Sequence, residues 1–408
     1  MPTNLRWVAN EELDRVAQTR WKSYKHAGKD LALMYDHLRT GPWAGVGQYL
    51  LAEQAGNPIG TATSLPLTMW FRGSAVSCQG VAWVGTIKTH RRRGGQQSVG
   101  SQIMHETLRR ARQQEFVVSA LMPFRVSFYE HFGYGIVERR AEWTIPLSII
   151  AHADSSGWKF TDPADRPAVM ENWQRSVEAG QCDVEWDSDR WSRRLAVEDG
   201  AMAFVLRPEN SDQVRASVLI SHEPLAGKNA MRIAAWSADS PEDFRSLLSF
   251  LGSMRDQFSF ALITVPITWQ VNRFLREPQI PHRPVDHPTA EVRPYTRMQL
   301  RILDHKKFIE SLHLPGQAKG RVTVAVAECE GTVSRFQIDF ESGRAAVSAA
   351  NSDADFECPD KHWAAIATGD IAASEAVRLG LAKSNNPAAA ALLDSLAAGP
   401  VPFCREYF

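Results

Sequence analysis

Residues 77–87 form an apolar run of strand length that carries Gly80 and Gly85, and a basic, glycine-bearing turn follows it at Arg91, Arg92, Arg93, Gly94, Gly95 and Gln96. Residues 98–114 then read as a helix, with Val99, Ile103, Leu108 and Ala111 on roughly one side. Strand, turn and helix in that order constrain the fold more than any other feature of the chain. The turn exposes backbone N–H groups, and the helix adds unpaired donors and the positive end of its dipole. Gly94 and Gly95 remove Cβ atoms where an anion approaches, and the three arginines offer charge-assisted bonds. The same residues also suit a solvated basic loop. No Gly-Lys-Ser/Thr follows, so this is not the ATPase phosphate loop, and the glycine spacing excludes a dinucleotide fingerprint.

The rest of the chain repeats this mixture. Helices are expected over 10–26 and 29–38, strands over 48–53 and 59–66, then a strand over 116–122, a helix over 124–131 and a strand over 141–147. Residues 151–157 are polar and linker-like. Beyond them, helices over 162–179, 191–195 and 241–256 accompany strands over 202–207, 215–221, 231–235 and 260–265. Five prolines between residues 277 and 294 mark the sharpest boundary. Three strands within 320–349 and helical pieces from 360 onward complete an α+β segment. The reading is therefore a multidomain chain of α/β and α+β class, with domains at 1–150, 151–290 and 291–408; 408 residues exceed a single core.

Composition narrows the function. Lys+Arg and Asp+Glu are both 46, so no overall attraction to nucleic acid or a membrane surface is expected. The five cysteines are widely spaced and form no metal-ligand pattern, so no metal is expected. The first residues lack a leader pattern and no apolar run is long enough to span a bilayer, which leads to the expectation of a cytoplasmic protein without integral membrane association.

The turn is similar to the Arg/Gln-x-x-Gly-x-Gly/Ala motif of the GCN5-related N-acetyltransferase superfamily, departing at Gln96. More narrowly, Thr89-His90-Arg91-Arg92-Arg93-Gly94 followed by Phe128-Tyr129-Glu130-His131-Phe132-Gly133-Tyr134-Gly135 resembles the mycobacterial enhanced intracellular survival acetyltransferases. That resemblance runs from the first domain to the aromatic C-terminus. It implies tandem acetyltransferase-like folds, the second noncatalytic, followed by a sterol-carrier-like α+β domain. It also implies homohexamers and acetyl-coenzyme A as cosubstrate.

The same resemblance assigns roles. Backbone groups of Val84, Thr86 and Ile87 would bond the pantetheine arm and carbonyl, helped by an open ladder position at a β-bulge. Residues 91–96 would hold the phosphates. Tyr129 would protonate the coenzyme A thiolate, and the terminal carboxylate of Phe408 would act as general base. Tyr134 is expected to be structural. The acceptor would be a primary amine of a cationic small molecule or lysine-like group, with His26 and Glu406 as substrate-binding candidates. A noncatalytic acyl-coenzyme A sensor or a lipid-binding protein are the alternatives.

Overall fold

The computed structural model describes residues 2–8, 10–24, 31–41, 43–91, 98–186, 201–209, 211–225, 227–280 and 288–408. The helix expected over 191–195 lies outside the described residues. Two compact units form. One comprises Met1–Val137, Arg297–Gly399 and Glu406–Phe408, the other Glu138–Thr296 and Pro400–Arg405.

The chain begins with β1 (Asn4–Val8), α1 (Leu13–Tyr24), α2 (Leu31–Thr40), β2 (Gln48–Gln54), β3 (Asn57–Phe71), β4 (Ser74–Thr86), α3 (Val99–Gln113), β5 (Val118–Leu121), α4 (Val126–Glu130) and β6 (Gly135–Ile136). The middle supplies β7 (Arg139–Pro146), β8 (Trp158–Phe160), α5 (Arg166–Ala179), β9 (Gln181–Val184), β10 (Met202–Leu206), β11 (Ala216–His222), β12 (Ala230–Ala238), α6 (Pro241–Ser253), β13 (Phe260–Pro266) and β14 (Glu291–Thr296). The last part holds β15 (Gln299–Ile302), α7 (His305–Ser311), β16 (Gly320–Ala327), β17 (Val333–Glu341), β18 (Arg344–Ala349), β19 (Phe356–Pro359), α8 (Asp360–Ala367), α9 (Ala373–Arg378), β20 (Lys383–Ser384) and α10 (Pro387–Ala397).

In the first unit the strands run β1-β2-β3-β4-β5-β15-β6. β4 and β5 are parallel and joined by α3, and the other neighbours are antiparallel. α3 buries Val99, Ile103, Met104, Leu108 and Ala111 against the sheet, so the expected apolar stripe is the packed one. Ser98 caps it, its Oγ accepting from the Ser101 N–H at 3.2 Å. α1 and α2 contribute Val16, Ala17, Met34 and Leu38 to a separate cluster with Tyr49 and Leu51.

Two strands lie elsewhere than the linear reading of the chain suggests. β7, expected to end the first domain, pairs with β13 and β14 inside the second unit. β15, from beyond the proline-dense segment, sits between β5 and β6 of the first sheet. Sequence distance does not limit strand pairing, and β15 fills its central position with Gln299 and Arg301 buried beside Leu300 and Ile302.

A further sheet of the first unit runs β18-β17-β16-β19-β20. Phe336, Ile338, Phe356, Trp363 and Ile366 are buried within it and α8. α8 begins on the glycines after α4. Gly133 takes φ +75°, and an ideal Cβ there would lie 2.3 Å from Asp360 Oδ2. Arg301 of β15 is 2% exposed in its side chain and donates to the Phe132 carbonyl (2.7 Å) and to Glu330 (2.6 Å). Arg112 also reaches Glu330, at 2.8 Å.

The second unit orders its strands β14-β7-β13-β12-β11-β10-β8. Its core gathers Ile145, Ile220, Met231, Phe244, Leu247, Leu251 and Ile263. The residues of the tail that belong to this unit are well held. Arg405 donates to Asp183 at 2.6 Å with its guanidinium 4.2 Å above the Trp173 ring, and the Cys404 N–H donates to Glu138 at 2.7 Å. No helix among the described residues is long and apolar enough to cross a membrane.

Candidate active site

The site grows from an irregularity in β4. The β3–β4 ladder steps from Thr61↔Gly85 to Thr63↔Ala82, so β4 carries one residue more than β3 there. Trp83 absorbs it with φ +53°, in the left-handed region that non-glycine residues rarely enter. On its other side, β4 pairs with β5 only from Cys78↔Val118 to Val81↔Leu121. β5 ends at Leu121 while β4 continues to Thr86, so residues 82–86 present an edge that β5 does not cover.

Alternation decides which backbone groups face that edge. The Ile87 N–H donates to the Ile59 carbonyl at 2.9 Å and is committed to the β3 side. The Ile87 amide is thus spent within the sheet. Thr86 points the other way, its carbonyl accepting from Arg91 Nε at 3.1 Å. The Val84 carbonyl also faces off the ladder and accepts from the Tyr24 hydroxyl.

The first turn of α3 lies beside this edge. An ideal Cβ on Gly100 would sit 3.4 Å from Phe128 Cζ and 3.8 Å from Thr86 Oγ1. Arg91 is exposed and is used as a tie rather than as a free cation, since its Nη2 also donates to the Ser23 carbonyl at 2.9 Å. Arg92, Arg93, Gly94, Gly95, Gln96 and His26 lie outside the described residues.

Tyr129 is buried on α4, edge-on to Phe124 (5.7 Å between centroids) and Phe128 (5.0 Å). Its hydroxyl has no hydrogen-bond partner among the described residues. Burial pushes its phenol well above the ordinary tyrosine value, and the phenols of Tyr24, Tyr134 and Tyr407 add to the shift. Tyr134 shares a hydrogen bond with the Ser119 hydroxyl at 2.7 Å and is fully buried, a structural position.

The last residues join the same sheet. Phe408 is buried, and its ring covers Gly80: an ideal Cβ on Gly80 would lie 3.1 Å from Phe408 Cδ2. Gly80 sits one residue before the last paired position of β4 with β5. Arg297 donates to the Glu406 carbonyl at 2.8 Å and lies 5.1 Å over the Tyr407 ring. The buried Glu406 carboxylate accepts the Tyr407 N–H at 2.7 Å, so it shapes the tail. Sequence reasoning missed Tyr24 and Phe124. Neither stands in a motif, and the Tyr24 bond to Val84 depends on the bulge.

Comparison with known proteins agrees with this geometry. Residues 4–137 match the acetyltransferase (GNAT) domain, and residues 305–405 match the sterol carrier protein domain. The chain thus carries an acetyltransferase domain of the GNAT class, whose members use acetyl-coenzyme A as cosubstrate, and a sterol carrier protein domain after it. Its whole length shares the fold of a GCN5-related N-acetyltransferase from Anabaena variabilis (16% identity, 99% of this chain and 100% of that one, TM-score 0.83). It is similar in the same way to Eis1 from Mycobacterium abscessus (18% identity, 100% of both chains, TM-score 0.80) and to a GCN5-related N-acetyltransferase from Kribbella flavida (20% identity, 100% and 99%, TM-score 0.78). No curated protein matches by sequence.

Proposed function

We propose that the first unit transfers an acetyl group from acetyl-coenzyme A to a primary amine. The observation that carries this reading is the uncovered edge of β4 at residues 82–86, flanked by the first turn of α3 and accompanied by the buried Tyr129 phenol. Outward-facing backbone groups of Val84 and Thr86 suit the pantetheine arm and thioester, and the turn at residues 91–96 suits the phosphates.

In this reading the neutral amine attacks the thioester carbonyl. The N–C bond forms as the C–S bond breaks, and the electron pair leaves with sulfur. Tyr129 gives its proton to the thiolate. The surplus proton of the amine passes to the Phe408 carboxylate, directly or through water, and exchange with solvent restores both groups.

The second unit supports a noncatalytic assignment. β12 and β13 are parallel, joined by α6, and pair only over Ala230–Arg232 before parting, which repeats the β4–α3–β5 step. At the start of α6, however, stand Asp239 and Asp243, engaged by Arg175 (2.8 Å) and Arg215 (3.0 Å). Carboxylates at that position repel phosphate. In the sterol-carrier-like sheet, the buried aromatic filling argues against lipid carriage as the main activity.

Incubation with acetyl-coenzyme A and a panel of primary amines, following thiol release and acetylated product, tests the proposal. Amine-dependent turnover is expected; its absence across the panel overturns the reading.

A further inference from the structure

The chain ends without helix or strand, and only Glu406, Tyr407 and Phe408 of its last nine residues belong to the first unit. A chain end of this kind frays unless something ties it down. A base needs the opposite, since a proton acceptor works only within hydrogen-bond reach of the amine. The Phe408 ring is seated over Gly80. A seated ring alone does not fix the carboxylate, whose place also depends on the backbone of residues 406 and 407.

Arg297 holds that backbone. Its Nη2 donates to the Glu406 carbonyl at 2.8 Å, and its guanidinium carbon lies 5.1 Å from the centre of the Tyr407 ring. One planar group thus takes a main-chain oxygen on its edge and an aromatic ring on its face, a combination that arginine supplies and lysine does not. Tyr407 is 68% exposed, so its ring is placed by this stack rather than by a core. Among the described residues Arg297 makes no ion pair, and both contacts of its side chain go to the tail.

Arg297 is itself well anchored. Met298, next to it, is buried, and its carbonyl accepts the Val137 N–H at 3.3 Å. Gln299 opens β15 and pairs with Leu121 on one side and Ile136 on the other. Its Nε2 donates to the Tyr134 carbonyl at 3.2 Å and to the Val126 carbonyl at 3.4 Å. Val126 is the first residue of α4, the helix that carries Tyr129. Three consecutive residues therefore tie two things to one strand: Gln299 the helix of the proposed acid, Arg297 the tail of the proposed base. We propose that Arg297 is a positioning residue for the terminal carboxylate, fixing where Phe408 presents it. This rests on the acetyltransferase reading and on the base role that reading gives Phe408.

Release of Phe408 by carboxypeptidase A reads the tail without any turnover. Proteolysis follows the population of the opened form, so Arg297→Gln is expected to release Phe408 about tenfold faster than the unaltered chain, with an unchanged melting temperature. Kinetics with acetyl-coenzyme A and the amine panel read the consequence. Arg297→Gln and Arg297→Lys should each lower kcat by about tenfold with a smaller change in the amine KM, because a displaced base costs the chemical step. Lysine keeps the charge and loses the stacked fork, so full kcat in Arg297→Lys overturns the inference. In a chain bearing a C-terminal carboxamide, Arg297→Gln should cost nothing further, since the group it positions is gone. An equal loss in both chains, or equal rates of Phe408 release, also overturns it. Tyr407→Ala removes the stacked ring from an exposed position and does not depend on how Arg297→Gln folds; it should lower kcat by a similar factor, and full kcat there counts against the clamp. Absence of amine-dependent turnover in the unaltered chain removes the acetyltransferase reading instead, while Phe408 release still decides whether Arg297 holds the tail.

Discussion

The Lys361 carbonyl oxygen occupies the place where a side chain on Gly135 would begin, 1.7 Å from the ideal Cβ position. The obstacle is backbone, so no rotamer change relieves it. Gly135→Ala is expected to destabilise the first unit by about 3 kcal/mol, the upper part of the usual overpacking range. Gly316, with nothing within 4 Å of its ideal Cβ, serves as the control. Thermal denaturation followed by circular dichroism compares them, and equal midpoints would contradict the packing described.

Tyr129→Phe removes one hydroxyl that has no hydrogen-bond partner among the described residues, so the fold should be undisturbed. A general acid contributes roughly 100- to 10,000-fold, and kcat is expected to fall within that range while coenzyme A affinity changes little. Stopped-flow thiol release and equilibrium binding separate the two quantities. Retention of full kcat would remove Tyr129 from the chemistry.

Phe408 places its ring over Gly80, and the proposed mechanism assigns its carboxylate the base role. Deleting Phe408 removes both. Semisynthesis of the chain with a C-terminal carboxamide keeps the ring and removes only the charge. Under the proposed base role, the amidated protein should lose turnover by about 100-fold or more with an unchanged melting temperature. Normal turnover in the amidated protein would leave Phe408 as a packing residue.

Buried phenols give the fold an alkaline limit. Burial raises Tyr24 to about 12 and pushes Tyr129 and Tyr134 higher, the Ser119 hydrogen bond only partly opposing it at Tyr134. Below pH ~10 folded and unfolded chains both keep these protons, and stability is unaffected. Above pH ~10 the unfolded chain releases protons that the folded chain retains, so stability should fall between pH ~10 and ~12. Urea unfolding across that interval measures the slope, which Tyr129→Phe should flatten. An unchanged slope in that variant would contradict the burial of its phenol.

Parts of this arrangement were legible in the sequence for definable reasons. Residues 77–114 change from continuous apolar character to helical spacing across a glycine-bearing turn, and β4 and α3 form where that change occurs. The position of the bulge was not legible, because a tryptophan in the left-handed region has no sequence signature. That single extra residue determines which amides face outward. Gly133 and Gly135 read as helix breakers; their close approach to Asp360 and Lys361 depends on partners more than 200 residues away.

The place of β15 has a consequence for how the protein is made. Residues 299–302 lie between β5 and β6, so the sheet that carries Tyr129 stays open on the emerging chain until those residues leave the ribosome. The acetyltransferase domain is begun first and closed late, after residues 138–296 of the second unit have been synthesised. A fragment ending at residue 137 would expose the edge of β5 as a template for foreign strands. The linear boundary of the domain is thus a poor guide to where it can be cut, and its biosynthesis depends on a segment encoded far downstream.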